Sequence, residues 1–329
     1  RSPSAYSGAT CASQTGAGSG CRPLRGQSAT CAQGVRSRPI GCRTRPVIRA
    51  CYKPSAPAQS GREVDTARTL AVHRPQQTDG GEAMGQKSKQ VASFQEAVAD
   101  IPDGSTIAFG GFAMPGTPFN LIRALMEHGA KRLTLVANTT GGAQQPRMPD
   151  IGMLVENGQV AKVICAFTAA TRPTDVLPFT KYYESGEVEA DLVPQGTLAE
   201  RLRAAGAGIP AFYTPTAVGT ELAEGRETRV INGREYLLEY ALPLDYAFIR
   251  ARRADVAGNL RFHRSQRNFN PVMATAASCT IAEVDEAILP AGAIDPDDVH
   301  TAGIFVHRLV QVPPAPEGLW PTKRQERAR

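Results

Sequence analysis

Apolar residues between positions 90 and 310 fall into short blocks whose spacing switches between two periods. Residues 106–109 (Thr-Ile-Ala-Phe) form a brief continuous run, the pattern of a strand covered on both faces. Runs at 133–136, 160–167 and 188–193 predict three further strands. Between them the period lengthens. Phe94 opens a helix through Val98 that stops before the turn signal Pro102-Asp103-Gly104. Leu121, Leu125 and Met126 share one face of a second helix, closed by Gly129 ahead of Lys131 and Arg132. Residues 198–205 form a third, ended by Gly206. Strands separated by helices of this length predict an α/β fold with a mostly parallel sheet flanked by helices.

The last third reads differently. Residues 229–231 and 235–238 flank Asn232-Gly233, a strong hairpin signal. Residues 245–251 and 259–262 continue the β pattern, and 281–284 and 304–310 supply late strands. The expectation is one α/β domain over residues 84–312 with an antiparallel β elaboration. The stretch 313–329, after Pro313 and Pro314, is polar and reads as a loose tail.

Residues 1–83 follow neither period. Residues 1–62 contain ten basic residues and no acidic one, among many Ser, Gly, Ala, Pro and Thr. Arg-rich, Ser-rich, acid-poor composition is that of an organelle transit peptide, but Pro and Gly recur and no amphipathic helix is sustained. The first methionine is Met84, just ahead of the patterned region. The segment therefore reads as a disordered or non-native extension outside the fold; the alternative is a genuine targeting extension to the mitochondrial matrix.

Charge follows the same division. Of the 37 Lys/Arg and 31 Asp/Glu, residues 1–83 hold 12 and 4, a net +8, which leaves −2 for the remainder. A basic nucleic-acid face is thus not a property of the patterned region. No stretch reaches the roughly 18 consecutive apolar residues of a membrane helix. Five of the seven cysteines (11, 21, 31, 42 and 51) lie in the extension, too widely spaced for a zinc pair. Cys165 sits in an apolar run and reads as a small buried hydrophobe, with a reactive thiol as the alternative. With Cys279 it suits a reducing compartment, the cytoplasm. The five histidines form no metal-binding spacing, and neither dinucleotide nor P-loop glycine patterns occur, so no metal and no nucleotide cofactor is expected.

In parallel sheets, ligands collect beyond the carboxyl ends of the strands. Gly110-Gly111-Phe112 follows the first strand, Asn138-Thr139-Thr140-Gly141 the second and Pro194-Gln195-Gly196 the fourth, so all three share one rim. Gly-Gly admits the close approach of a phosphate or a thioester, and serves equally as a tight strand-to-helix turn. Gln195 and Asn138 offer amide donors and acceptors, or simply stabilise their loops. Arg261, Arg264 and Arg267 have the chemistry to hold an anion, or form a solvated face.

The segment from Asp103 through Pro118 (DGSTIAFGGFAMPGTP) resembles the first signature of family I coenzyme A transferases: an Asp-Gly turn, an apolar triplet, then G-G-F-x-x-x-G-x-P. Residues 193–201 (VPQGTLAER), 206–214 (GAGIPAFYT) and 267–270 (RNFN) resemble the A (alpha) chain type of the same family. The similarity runs from about Gln90 to Val310 and is closest in pattern to 3-oxoacid and 3-oxoadipate CoA-transferases.

That resemblance implies the CoA-transferase fold and an enzyme that moves CoA from succinyl-CoA, or another acyl-CoA, to a 3-oxoacid by ping-pong kinetics, as in ketone-body or aromatic catabolism. The nucleophilic glutamate belongs to the B subunit, in a Ser-Glu-Asn-Gly motif. Here Glu156-Asn157-Gly158 follows Val155 instead and aligns with the end of a helix of the alpha type, so no nucleophile is expected in this chain. The implied partner is a B subunit, in a heterodimer or heterotetramer, and no cofactor beyond the CoA thioester substrate is needed. By the same match, Gly110, Gly111, Phe112, Gly116 and Pro118 shape the CoA/acyl pocket. Asn138, Thr139, Gln195 and Gly196 would face the acyl carboxylate or the reacting carbonyl, an oxyanion-type role. Thr139 stands where the family often has a second asparagine, and residues 141–149 depart from the commoner pattern. A non-catalytic ligand-binding or regulatory module of the same fold is the competing reading. A sugar-phosphate isomerase is disfavoured by the lack of an acid–base set near the glycine loop.

Overall fold

In a computed structural model the described residues are 88–112, 114–142, 149–169 and 176–313. The extension 1–83 with its five cysteines, most of the tail 313–329, and most of the divergent stretch 141–149 lie outside them. From the first half come α1 (Phe94–Val98), β1 (Thr106–Phe109), α2 (Phe119–His128), β2 (Leu133–Thr139), α3 (Ile151–Glu156), β3 (Val160–Phe167), α4 (Pro178–Glu184), β4 (Glu189–Leu192) and α5 (Gln195–Gly206). There follow β5 (Ala211–Thr214), β6 (Thr228–Ile231), β7 (Arg234–Tyr240), β8 (Leu244–Ala251), β9 (Arg253–Ala254), β10 (Leu260–Arg261), α6 (Asn270–Ala276), β11 (Ala277–Val284) and β12 (Arg308–Gln311).

Seven strands form one sheet in the order β12-β11-β8-β1-β2-β3-β4. Every neighbouring pair in it is parallel. The strand order reverses at β1, with β2 on one side and β8 on the other, which opens a crevice beyond their carboxyl ends. Alternation divides the core in two. Ile107 and Phe109 of β1 join Leu135, Val163, Phe248 and the helices α1 to α4 on one face. Ala108, Val136, Ile164, Ala247 and Ile249 meet Leu198 and Leu202 of α5 and Met273 of α6 on the other. Both faces being covered explains the continuous apolar runs.

α2 shows how the local pattern works. Leu121, Ile122, Ala124 and Leu125 are buried, a stripe at helical spacing whose larger side chains contribute about 1.5–3 kcal/mol each. Gly129 ends the helix at φ +83° with its N–H donating to Leu125 O, and the buried Gln159 amide donates to Leu125 O and Ala130 O, pinning the helix end to the start of β3.

Antiparallel pairing is more confined than the sequence suggests. It occurs in a three-stranded sheet, β5-β7-β6, and in the two-residue pair β9/β10. The Asn232-Gly233 hairpin is present, with φ +51° and +76° as a primed turn requires. However, β8, β11 and β12 extend the main sheet in parallel rather than elaborating it, and residues 303–305 form a 3-10 turn, so the last strand starts at Arg308 and not at 304. Among the described residues no helix is long and apolar enough to cross a membrane.

Candidate active site

β1 ends in Gly110-Gly111, β2 in Asn138-Thr139, and β4 is followed by Pro194 and Gln195; the parallel sheet brings all three to one rim. Behind that rim lies a cavity of about 550 Å³. Its walls are largely apolar, with Phe109, Phe119, Ile122 and Ile151 among them, and Phe112 and Phe167 stand half exposed at its edge.

Gln195 and Asn138 meet directly. Gln195 Nε2 donates to Asn138 Oδ1 at 2.6 Å. Asn138 is buried and Gln195 exposed, so the pair runs from the cavity interior to its mouth. The bond occupies the acceptor of Asn138 and leaves its NH2 group to donate, while Gln195 keeps its own carbonyl oxygen and a second N–H. Gln195 and Gly196 are not loop residues as the sequence suggests. They form the first turn of α5, whose Pro194 N-cap supplies no side-chain acceptor.

Of the sequence-derived positions, Gly110, Gly111, Phe112, Asn138, Thr139 and Gln195 line the cavity. Gly116, Pro118 and Gly196 are not among the lining residues, which Thr117 and Phe119 join instead. The glycines have a reason different from ligand approach. A Cβ on Gly110 would run into Asn270 Oδ1, and one on Gly116, at φ +82°, would meet Asn270 Nδ2 at 2.5 Å and Gln266 O at 2.7 Å. Asn270 is completely buried; it accepts from Arg250 N at 3.0 Å and donates to Gly116 O at 3.2 Å and Gln266 O at 2.8 Å. Asn268 accepts from Gly111 N at 3.2 Å and donates to Pro115 O at 2.8 Å. The two asparagines of the 267–270 segment thus staple the glycine loop from a point some 150 residues downstream.

Asp150 is the charged lining residue, among the described ones, that sequence reasoning misses. It N-caps α3, accepting from Gly152 N at 3.0 Å, and also accepts from Gly142 N at 2.6 Å. Among the described lining residues it is the one carboxylate, and it is engaged in holding backbone. An Asp directly before the apolar pair Ile151 and Leu154 is the available signal. Glu156 lies at the exposed end of α3 and does not line the cavity. Cys165 is fully buried, and desolvation pushes its thiol up to about 12, so it is the inert hydrophobe expected. Arg261 pairs with Asp298 at 2.5 Å, whereas Arg264 and Arg267 stand exposed. No group of three or more His, Cys, Asp or Glu able to hold a metal occurs among the described residues.

A model of the Coenzyme A transferase family matches residues 91–312. Over 227 residues the chain is 45% identical to the A component of the 3-oxoadipate CoA-transferase of Pseudomonas putida, covering 68% of this chain and 94% of that protein. It is also 45% identical, over 222 residues, to the A component of the probable succinyl-CoA:3-ketoacid coenzyme A transferase of Bacillus subtilis (strain 168), covering 68% and 89%. Among solved structures, a variant of the decarboxylase AibA/AibB superposes with a TM-score of 0.57 at 28% identity, over 71% of this chain and 88% of that one. Glutaconate coenzyme A-transferase from Acidaminococcus fermentans shares the fold, with a TM-score of 0.60 at 24% identity over 69% and 76%. With a family model spanning most of the described residues and relatives at this identity along it, the chain belongs to the coenzyme A transferase family.

Proposed function

We infer that this chain is the A (alpha) component of a heteromeric transferase that moves CoA from succinyl-CoA to a 3-oxoacid, and that it frames the acyl pocket without supplying the nucleophile. The observation that carries the reading is the Asn138–Gln195 pair at the mouth of an apolar cavity, in a chain whose relatives are named as A components of such transferases.

The chemistry runs as two acyl transfers each way. A glutamate carboxylate from the B subunit's active-site motif attacks the acyl-CoA carbonyl, the C–S bond breaks, and an acyl-glutamyl anhydride and CoA thiolate result. The thiolate then attacks the glutamyl carbonyl, releasing the first acid and leaving a glutamyl-CoA thioester. The second acid's carboxylate attacks that thioester, and the same steps reverse. An anhydride keeps the acyl-transfer potential of the thioester, which is why a carboxylate serves as nucleophile without ATP. In each tetrahedral intermediate negative charge gathers on the former carbonyl oxygen. The NH2 of Asn138 and the remaining N–H of Gln195 are preorganised donors for that oxygen or for the acyl carboxylate. The apolar walls exclude water that would hydrolyse the anhydride. The unpaired thiols Cys165 and Cys279 fit a reducing compartment, the cytoplasm.

The test is a transfer assay from succinyl-CoA to acetoacetate and to 3-oxoadipate, with this chain alone and with a B subunit bearing Ser-Glu-Asn-Gly. Transfer that needs both chains supports the reading; substantial transfer by this chain alone refutes it.

A further inference from the structure

A buried charge that the transfer steps leave unused sits directly behind the cavity wall. Glu283, on β11, is completely buried. Its Oε2 accepts from the backbone N–H of Asn120 at 3.0 Å and of Leu121 at 3.2 Å. Both belong to the first turn of α2, whose own N-cap, Pro118, has no side-chain acceptor to give. Glu283 therefore caps α2 from the neighbouring strand, an anion against the positive end of the helix and two otherwise orphaned donors.

The second oxygen, Oε1, is buried without a hydrogen-bond partner and lies 3.4 Å from Arg250 Nη1. Arg250, on β8, reaches onward to the cavity. Its Nη1 donates to Thr117 O at 3.4 Å and its guanidinium lies 5.4 Å over the ring of Phe119. Thr117 and Phe119 both line the cavity. On its far side Arg250 Nε donates to Asp285 Oδ1 at 2.7 Å, and Gln266 Nε2 donates to Asp285 Oδ2 at 2.9 Å. Among the described residues the charged groups acting on Glu283 are thus Arg250, from β8, and Asp285, just past β11; α2 faces it with backbone N–H groups.

We propose that Glu283 and Arg250 are a positioning pair for the reaction, holding the Thr117–Phe119 wall of the cavity in its binding geometry while Glu283 is ionised. Burial pushes the Glu283 carboxyl up to about 7, against the opposing pull of Arg250 and the two N–H groups. Protonation removes the charge-assisted bonds to α2 and leaves Arg250 drawn to Asp285 alone, which releases the wall.

The consequence for rate rests on the transferase reading; the structural coupling does not, and two measurements keep them apart. In the complex with the B subunit, the apparent KM is expected to rise about tenfold from pH 8 to pH 6, as the binding-competent fraction falls, with kcat at saturation held. Glu283→Gln is expected to raise KM and abolish this pH dependence, whereas a merely structural role shifts KM equally at every pH. On the full chain without substrate, the amide resonances of Asn120, Leu121, Thr117 and Phe119 are expected to titrate together near pH 7, a readout that needs no variant. Asp285→Asn is expected to lower that midpoint by removing a negative neighbour. Amides of Asn120 and Leu121 that do not titrate, a wall that stays fixed while they do, an unmoved midpoint in Asp285→Asn, or a wild-type pH profile in Glu283→Gln each overturn the proposal. If the wild-type complex transfers no CoA, the transferase reading falls and the amide titration alone decides the pair.

Discussion

Gln195 Nε2 lies 2.6 Å from Asn138 Oδ1, and that bond ties the first residue of α5 to the carboxyl end of β2 at the mouth of the cavity. Neither residue reaches the other through local chain geometry. The parallel pairings of β2 with β3 and β3 with β4 set the separation, and the amides then orient each other.

Gln195 is exposed and its side chain holds no helix together, so Gln195→Ala should leave the fold and the assembly with the B subunit intact. The rate of CoA transfer should fall about a hundredfold, the scale of losing one preorganised oxyanion donor. Steady-state kinetics beside size-exclusion chromatography check this; an unchanged rate removes Gln195 from the site.

The contact between Gly110 and Asn270 yields a prediction about stability. Gly110→Ala should destabilise by about 1–3 kcal/mol through overpacking. Asn270→Ala should cost a similar amount, because Arg250 N, Gly116 O and Gln266 O lose their partner. In the double variant the clash disappears with the asparagine side chain, so the two losses should fall short of adding. Urea denaturation of the four proteins in the cycle measures the coupling.

Much of this arrangement is legible in the residues alone. The runs at 106–109, 133–136 and 160–167, the stripe through Leu121 and Leu125, and the Asn232-Gly233 turn each carry their own local cause, and each lies where its pattern puts it. The rim residues Gly110, Gly111, Asn138 and Gln195 follow from strand ends alone. Other features answer to distant partners. The placement of β8 beside β1 depends on a crossover of more than a hundred residues, which no window reveals, so β8, β11 and β12 read as an elaboration. α3, α4 and α6 span six or seven residues, too few for a helical period to declare itself; the five-residue α1 is legible because the turn signal Pro102-Asp103-Gly104 closes it. Gly116 looks like a pocket glycine because Asn270, which requires it, stands far along the chain.

Cys165 should be silent toward thiol reagents. Burial pushes its pKa up to about 12, so at pH 8 almost none of it is thiolate and no reagent reaches it. Alkylation of the native chain followed by peptide mass spectrometry should find Cys165 unmodified until denaturant is added; rapid native labelling would show that β3 opens.

Glu283 also sets a sign for stability against pH. Its carboxyl rises from 4.5 to about 7 on folding, so the folded chain binds its proton more tightly than the unfolded one. Stability from this group is therefore full below about 4.5 and is lost as pH rises through about 7, a change of about 3 kcal/mol. Asp100, held below the carboxylate range chiefly by its hydrogen bond to Arg308, and Glu286, where burial pushes up but the bonds to Arg253 and Arg252 together outweigh it, act the opposite way and only at lower pH. Denaturation at pH 5 and pH 8 should show Glu283→Gln gaining on the wild type by about that amount as pH rises. Parallel curves would show that Glu283 keeps an ordinary carboxylate pKa.

In the proposed division of labour this chain frames a thioester pocket and relies on another subunit for the attacking carboxylate. Denaturing mass spectrometry of both chains, after the complex is incubated with succinyl-CoA, reads it directly. The expected result is the mass of one CoA less water on a glutamate of the B subunit, with this chain at its own mass; the same adduct on any glutamate of this chain, Glu156 included, contradicts that division.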